Sequence, residues 1–256
     1  VRTALPEVFL RLPVAHRALH DRRAGRVENS PAAVAAAVAA GYAIEIDVQG
    51  TADGQAAVFH DDELGRLTGE AGPVQARTAA ELGRIRLRDS AETIPTLPQV
   101  LAQVAGRVPL LIEIKDQTGA MAAGDGRLEA AVAAALEGCA GPVAVMSFNP
   151  ESIAAMARLA PGVPRGLTTS AYDPEDWAPL PPAVCDRLRD IPDYDRVGAS
   201  FISHEAADLG RPRVAGLKAQ GARILCWTVR SPAEEAAARA VAENVTFEGY
   251  AAAIPA

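Results

Sequence analysis

Residues 43–48 read Ala43-Ile44-Glu45-Ile46-Asp47-Val48. Successive side chains of a β-strand point to opposite faces, so Ile44, Ile46 and Val48 share one face and Glu45 and Asp47 the other. The pattern returns in Leu110-Leu111-Ile112-Glu113-Ile114-Lys115, where Ile112 and Ile114 take one face and Glu113 and Lys115 the other. The apolar faces call for a covering layer of helices. The opposite faces carry ionised groups inside otherwise apolar strands. A ring of parallel strands with helices outside and charged groups inside accommodates both.

Working outward, β-rich runs alternate with Ala/Leu-rich runs along the whole chain. Eight strands are expected at residues 12–16, 43–48, 109–114, 143–147, 165–168, 198–202, 223–229 and 244–247. Helices are expected at 98–105, 128–137, 150–159, 212–219 and 232–242, with a short helical piece near 182–188. Another runs from Pro31, with Ser30 as its cap and Gly41 just past its end. Eight strands alternating with helices predict an α/β (β/α)8 TIM barrel, with an open doubly wound sheet as the alternative. Residues 1–256 read as one catalytic barrel domain. Within it, residues 49–97 form a small insertion: an extra strand at 56–59, paired with the second strand through Thr51-Ala52-Asp53-Gly54, then an excursion over one end of the barrel.

Composition narrows the class of function. The net charge is −7 with no long basic block, which argues against nucleic acid as a partner. No apolar stretch reaches the length of a membrane-spanning helix, so no stable membrane insertion is expected. The N-terminus lacks the pattern of a signal peptide. Cys139, Cys185 and Cys226 are odd in number and far apart, which predicts a reduced, cytoplasmic protein without a disulfide framework.

The chemistry concentrates in few residues. Glu45 and Asp47 on an inner barrel face are costly to desolvate, and each raises the other's pKa. A cation resolves both difficulties. With Glu113 they form a hard oxygen site suited to one divalent cation, Mg²⁺ or Ca²⁺. The alternative is a Glu113–Lys115 salt bridge beside a solvent-facing Glu45/Asp47 pair. The chain holds four histidines. His16 closes the first strand and His60 the extra strand, and imidazoles at strand ends suit general acid–base work. Arg17 and Lys115 supply cationic contacts for an anion. His20 reads as a surface-loop residue, and His204, after the sixth strand, as lining a site mouth or exposed. Cys226 reads as a small core residue, and Trp227 as either core or a stacking platform.

These residues resemble the glycerophosphodiester phosphodiesterase family. The likeness runs through Ala15-His16-Arg17, Glu28-Asn29-Ser30, Gly41, Glu45-Ile46-Asp47, Asp53-Gly54 and His60-Asp61. It continues through Leu64, Arg66-Leu67-Thr68-Gly69, Ile94-Pro95-Thr96-Leu97, Glu113-Ile114-Lys115, Ser147-Phe148 and Trp227-Thr228. The resemblance implies metal-dependent hydrolysis of a small-molecule glycerophosphodiester to glycerol phosphate and an alcohol. It implies Glu45, Asp47 and Glu113 as metal ligands, and His16 and His60 as acid and base. Arg17 and Lys115 would hold the phosphate, Phe148 and Trp227 would border the substrate, and Glu28 would join or orient the metal shell.

Three departures stand out. Ala18 replaces the usual Gly after His-Arg, residues 18–27 form a long loop with Arg22, Arg23 and Arg26, and the end reads Asn244-Val245-Thr246-Phe247-Glu248-Gly249-Tyr250 in place of a Thr-Asp and nearby Pro. Competing readings are a related barrel phospholipase acting on inositol or sphingolipid head groups, a non-catalytic barrel that binds phosphorylated ligands, and a sugar-phosphate isomerase or aldolase. The alcohol head group and the oligomeric state are not encoded in these motifs.

Overall fold

Ser30 does what its position predicts: its hydroxyl accepts the Ala33 N–H at 3.2 Å, Pro31 opens the helix, and Gly41 closes it in the left-handed region at φ 77°. Such start and stop signals set the frame of a computed structural model, which describes residues 2–255. Its strands are β1 (Val14–Ala15), β2 (Ala43–Gly50), β3 (Ala56–Val58), β4 (Leu110–Ile114), β5 (Val143–Ser147), β6 (Arg165–Thr169), β7 (Phe201–Glu205), β8 (Arg223–Val229) and β9 (Asn244–Phe247). The helices are α1 (Val8–Arg11), α2 (Pro31–Ala40), α3 (Ala79–Leu82), α4 (Leu97–Val104), α5 (Arg127–Leu136), α6 (Pro150–Leu159), α7 (Pro182–Arg189), α8 (Pro212–Ala219) and α9 (Pro232–Ala238).

All strands but β3 pair in parallel, and β1 bonds both β9 and β2, which closes the ring as the expected (β/α)8 barrel. The parity read from the sequence is the parity of the barrel. Ile44, Ile46, Val48, Ile112 and Ile114 are buried in one large cluster with Val34, Val100 and Val132 of the surrounding helices. Ala43, Leu111, Ala144, Met146, Phe201 and Leu225 form a second, inner cluster. Gly166 leaves room in that interior, since a Cβ there would stand 2.4 Å from the Phe201 ring.

β3 lies outside the ring, antiparallel to β2, with Val48 opposite Val58 and Gly50 opposite Ala56. The intervening turn uses the Thr51–Asp53 side-chain bond at 2.6 Å and Gly54 at φ 74°. The excursion that follows has its own apolar centre of Phe59, Leu64, Leu67, Val74, Leu82, Leu87 and Ile94. That cluster fixes the segment against the barrel without regular strands.

Two strands differ from expectation. β1 is only Val14–Ala15, because Pro13 has no N–H to give the ladder and Leu12 ends a helical turn, α1, that the sequence pattern did not announce. The fully buried Phe9 of α1 belongs to the inner cluster. Asn244 anchors α1 by donating to the Phe9 and Leu12 carbonyls. β7 starts three residues later than predicted, at Phe201, since Gly198 sits at φ 63° in a turn. No helix among the described residues is long and apolar enough to cross a membrane.

Candidate active site

The register of β2 and β4 assembles the acidic centre. Asp47 lies opposite Glu113, and Glu45 opposite Leu111, one inward layer earlier. All three carboxylates are buried, and their oxygens come within 4.8 Å of one another. The Lys115 ammonium lies between two of them, 2.7 Å from Asp47 Oδ1 and in contact with Glu113. The predicted Glu113–Lys115 bridge therefore exists, but the Glu45/Asp47 pair beside it is enclosed and does not face solvent. Asn29 holds Asp47 from behind, donating from Nδ2 to Oδ2 at 2.9 Å and accepting the Asp47 N–H at 3.2 Å.

The three acids are not electrostatically alike. Burial works against charge on Asp47, but Lys115, His60 and Arg17 outweigh it and hold this carboxyl far below the ordinary range. Glu45 goes the other way: burial and the adjacent Asp47 and Glu113 charges push it well above that range. Its carboxylate accepts the Arg17 backbone N–H at 2.8 Å, and it makes no ion pair among the described residues. Three carboxylates converge with one ammonium, and the Arg17 guanidinium reaches Asp47 only at 3.8 Å, so acid groups outnumber the cations in this buried centre. This donor set is all oxygen and fits a divalent cation of the Mg²⁺ or Ca²⁺ kind.

Around this centre the structure brings together most of the predicted residues. Arg17 pairs with Glu28 at 2.7 Å. Its Nε is buried without a hydrogen-bond acceptor, with Asp47 Oδ2 at 3.8 Å. Arg17 and Ala18 are both left-handed, at φ 49° and 63°, so the loop keeps at Ala18 the backbone that a Gly would favour. Glu28 is not one of the three grouped carboxylates. It joins Arg17 to Arg66, whose guanidinium also grips Asp61 at 2.6 Å.

Each histidine rests on a carboxylate. His60 Nδ1 is 2.7 Å from Asp61 Oδ1, and His16 Nδ1 is 2.6 Å from Glu248 Oε2. Arg230 holds the other oxygen of Glu248 at 2.8 Å. Burial is the main influence on His16 and lowers its pKa, despite the opposing pull of Glu248. The hydrogen bond from His16, with His20 close by, holds Glu248 far below its ordinary range.

Glu248, Asn29, Asp61 and Arg66 received no role from sequence reasoning. Glu248 lies in the chain end noted as a departure from the family, and only the fold shows that it meets His16. His20 is not a surface-loop group: its Nε2 is buried, 3.4 Å from Glu248 Oε2. His204 neither lines the mouth nor is exposed. The later start of β7 puts it inside the strand with the outward parity of Ile202, fully buried between Thr169 and Asp208. Cys226 is a core residue, its thiol pushed up to about 12 chiefly by burial.

A cleft of about 450 Å³ opens beside Glu113, Lys115 and His60. Phe148 lines it, with Trp177 edge-on to its ring at 4.9 Å. Trp227 stands edge-on to Phe148 at 5.4 Å and donates from its indole to the Ser203 carbonyl.

A model of the glycerophosphoryl diester phosphodiesterase family matches residues 16–246. The chain belongs to that family. It is thus a phosphoric diester hydrolase of the glycerophosphodiester phosphodiesterase kind. Members of the family generally depend on a divalent metal. The chain is 27% identical over 196 residues to YhdW of Bacillus subtilis, a protein provisionally named a glycerophosphodiester phosphodiesterase, covering 73% of this chain and 74% of the relative. Among solved structures it is similar to a phosphodiesterase of Oleispira antarctica in complex with the product sn-glycerol-3-phosphate, with a TM-score of 0.72, 25% identity and 93% of each chain covered. It is also similar to a glycerophosphodiester phosphodiesterase of Agrobacterium tumefaciens, with a TM-score of 0.64 and 25% identity over 91% of this chain and 94% of that one.

Proposed function

We propose that this member of the family hydrolyses glycerophosphodiesters to glycerol phosphate and an alcohol with one divalent cation, Mg²⁺ or Ca²⁺, held by Glu45, Asp47 and Glu113, and with His16 and His60 as the acid–base pair. The observation that carries the reading is the buried cluster of three carboxylates, set beside a buried arginine donor that lacks an acceptor. When bound, the cation supplies electrophilic stabilisation of the phosphate oxygens.

The chain's own residues do the rest. Arg17 Nε is placed to donate to a phosphate oxygen, and Glu28 keeps its guanidinium from swinging away. Lys115 adds a point charge beside the same anion. Glu248 and Asp61 each take the Nδ1–H of their histidine, which leaves both Nε2 atoms free to accept or donate a proton. One imidazole removes a proton from the nucleophile, either water or the adjacent glycerol hydroxyl. The other protonates the departing alkoxide. Phe148 and Trp227 form an apolar wall beside the leaving group.

The test is to incubate the protein with glycerophosphodiesters and follow phosphorus resonances. Appearance of glycerol phosphate, with or without a transient cyclic phosphate, is the expected result. Cleavage of intact lipids alone would instead favour the related phospholipase reading.

A further inference from the structure

The cleft of about 450 Å³ beside Glu113, Lys115 and His60 has a lining unlike that of the phosphate centre. Met121, Phe148, Trp177 and Leu180 make it apolar, and Phe148 meets Trp177 and Trp227 edge-on while Trp177 is tilted against Tyr172 at 4.7 Å. Ring faces attract a positive charge, most strongly when the cation is poorly hydrated.

The charged residues of the lining point the same way. Lys115, its one ammonium, is already spent on Asp47 and Glu113. Asp62 and Asp116 also line the cleft, and neither has an ion-pair partner among the described residues. Asp62 accepts from the Gln49 amide at 2.9 Å, and Asp116 accepts from Thr118, Asn149 and the Met121 N–H. The segment that brings Trp177 to the cleft, Asp173-Pro174-Glu175-Asp176-Trp177, carries three more carboxylates, all exposed, and no base. An anion is poorly received there and a neutral polyol gains little from the rings.

Resting on the phosphodiesterase reading above, we infer that this cleft is the subsite for the alcohol part of the substrate and selects an alcohol bearing a quaternary ammonium group, with Trp177 as the specificity-determining residue. A primary ammonium is more strongly hydrated and fits the apolar wall less well. A glycerol or inositol alcohol lacks the charge.

The experiment compares kcat/KM for glycerophosphocholine, glycerophosphoethanolamine and glycerophosphoglycerol, in the wild type and in Trp177→Ala, Trp177→Phe and Asp62→Asn. The choline ester is expected to exceed the glycerol ester by about tenfold, the span of one well-placed ring–cation contact. Trp177→Ala should raise KM for the choline ester and bring the ratio toward one, while Trp177→Phe keeps most of it. Equal turnover of the three esters, or a ratio unmoved by Trp177→Ala in a folded protein, overturns the inference and leaves the reaction class standing. If no ester is cleaved, the functional reading fails, and titration of indole fluorescence with tetramethylammonium then decides the cleft separately. Saturable quenching lost in Trp177→Ala supports a quaternary-ammonium site, and its absence in the wild type rejects one.

Discussion

His16 and His60 show two ways of building one arrangement. In both, Nδ1 meets a carboxylate that an arginine also holds: Glu248 by its other oxygen to Arg230 for His16, Asp61 by both oxygens to Arg66 for His60. His16 belongs to the barrel. It follows β1, its backbone N–H bonds to Phe247, and its partner comes from the loop after β9. His60 belongs to the insertion after β3, and its partner is its own neighbour in sequence. The barrel histidine is the more enclosed, with 14% of its side chain exposed against 30% for His60. A histidine set by ring closure thus depends on distant chain, whereas one set by a hairpin and a local pair depends on its neighbours in sequence. Both histidines lie within electrostatic reach of Asp47 in the acidic centre.

The largest effect should come from that shared centre. Glu45→Gln is expected to reduce turnover by about a thousandfold or more, as loss of a metal's electrophilic role implies. It should not lower the thermal midpoint of the metal-free protein, because it removes a buried like charge next to Asp47 and Glu113. A melting curve and a product assay on the same sample check both halves. Next come the histidines themselves. His16→Ala and His60→Ala should each cost about 10²- to 10⁴-fold in kcat. An ester with a strongly acidic alcohol should rescue only the variant that lacks the general acid, which assigns the roles. Rescue of both, or of neither, would erase the distinction drawn between them.

Smaller losses should follow from the supporting pairs. Glu248→Gln is expected to cost about ten- to a hundredfold in kcat, in the range of partners that orient a functional imidazole. Asp61→Asn should cost less, since His60 is the more open of the two; the opposite order would invert the comparison. The pairs also predict a pH effect on stability. Glu248, Asp61 and Glu28 all have folded-state pKa values below their ordinary ones, owing to hydrogen bonds and charges from His16, His20, His60, Arg17 and Arg66 that overcome burial where it opposes them. Depressed carboxyl values stabilise fully above the unfolded pKa of about 4 and progressively less as pH falls through and below it. The melting temperature should therefore drop below about pH 4, and Glu248→Gln should flatten the drop. The smallest effect is at Ala18. Glycine there relieves about 1 kcal/mol of left-handed strain, yet it forfeits a buried methyl and some chain entropy of similar size. Ala18→Gly should shift stability by less than about 0.5 kcal/mol in chemical denaturation, the residual of those terms.

Much of the barrel was legible because strand parity is local information. Glu45, Asp47, Glu113 and Lys115 could be put on one face from alternation alone, and the Ser30 and Gly41 signals bounded α2. His16 and His60 were legible as strand-end residues, Arg17 was legible as a cation beside His16, and Phe148 came from the likeness to a family. What stayed hidden depends on which loops meet. Glu248 is 232 residues from His16, and its value comes only from closure of β9 on β1. Glu28 carried an expectation of joining or orienting the metal shell, and its bonds to Arg17 and Arg66 could not be read from the sequence. Trp177 sits in a Pro-rich segment with no periodicity to read. The misplacement of His204 followed from a strand edge shifted by Gly198, a reminder that parity is only as good as the boundary it is counted from.

The central claim is that a divalent cation held by Glu45, Asp47 and Glu113 drives the hydrolysis, and its most direct test is glycerol phosphate release by chelator-treated protein before and after Mg²⁺ or Ca²⁺ is restored, with Glu45→Gln run in parallel. The expected result is no release from the stripped protein, recovery on adding metal, and no recovery in the variant. Undiminished release from a protein shown to be metal-free, or full metal-dependent release by Glu45→Gln, would contradict it.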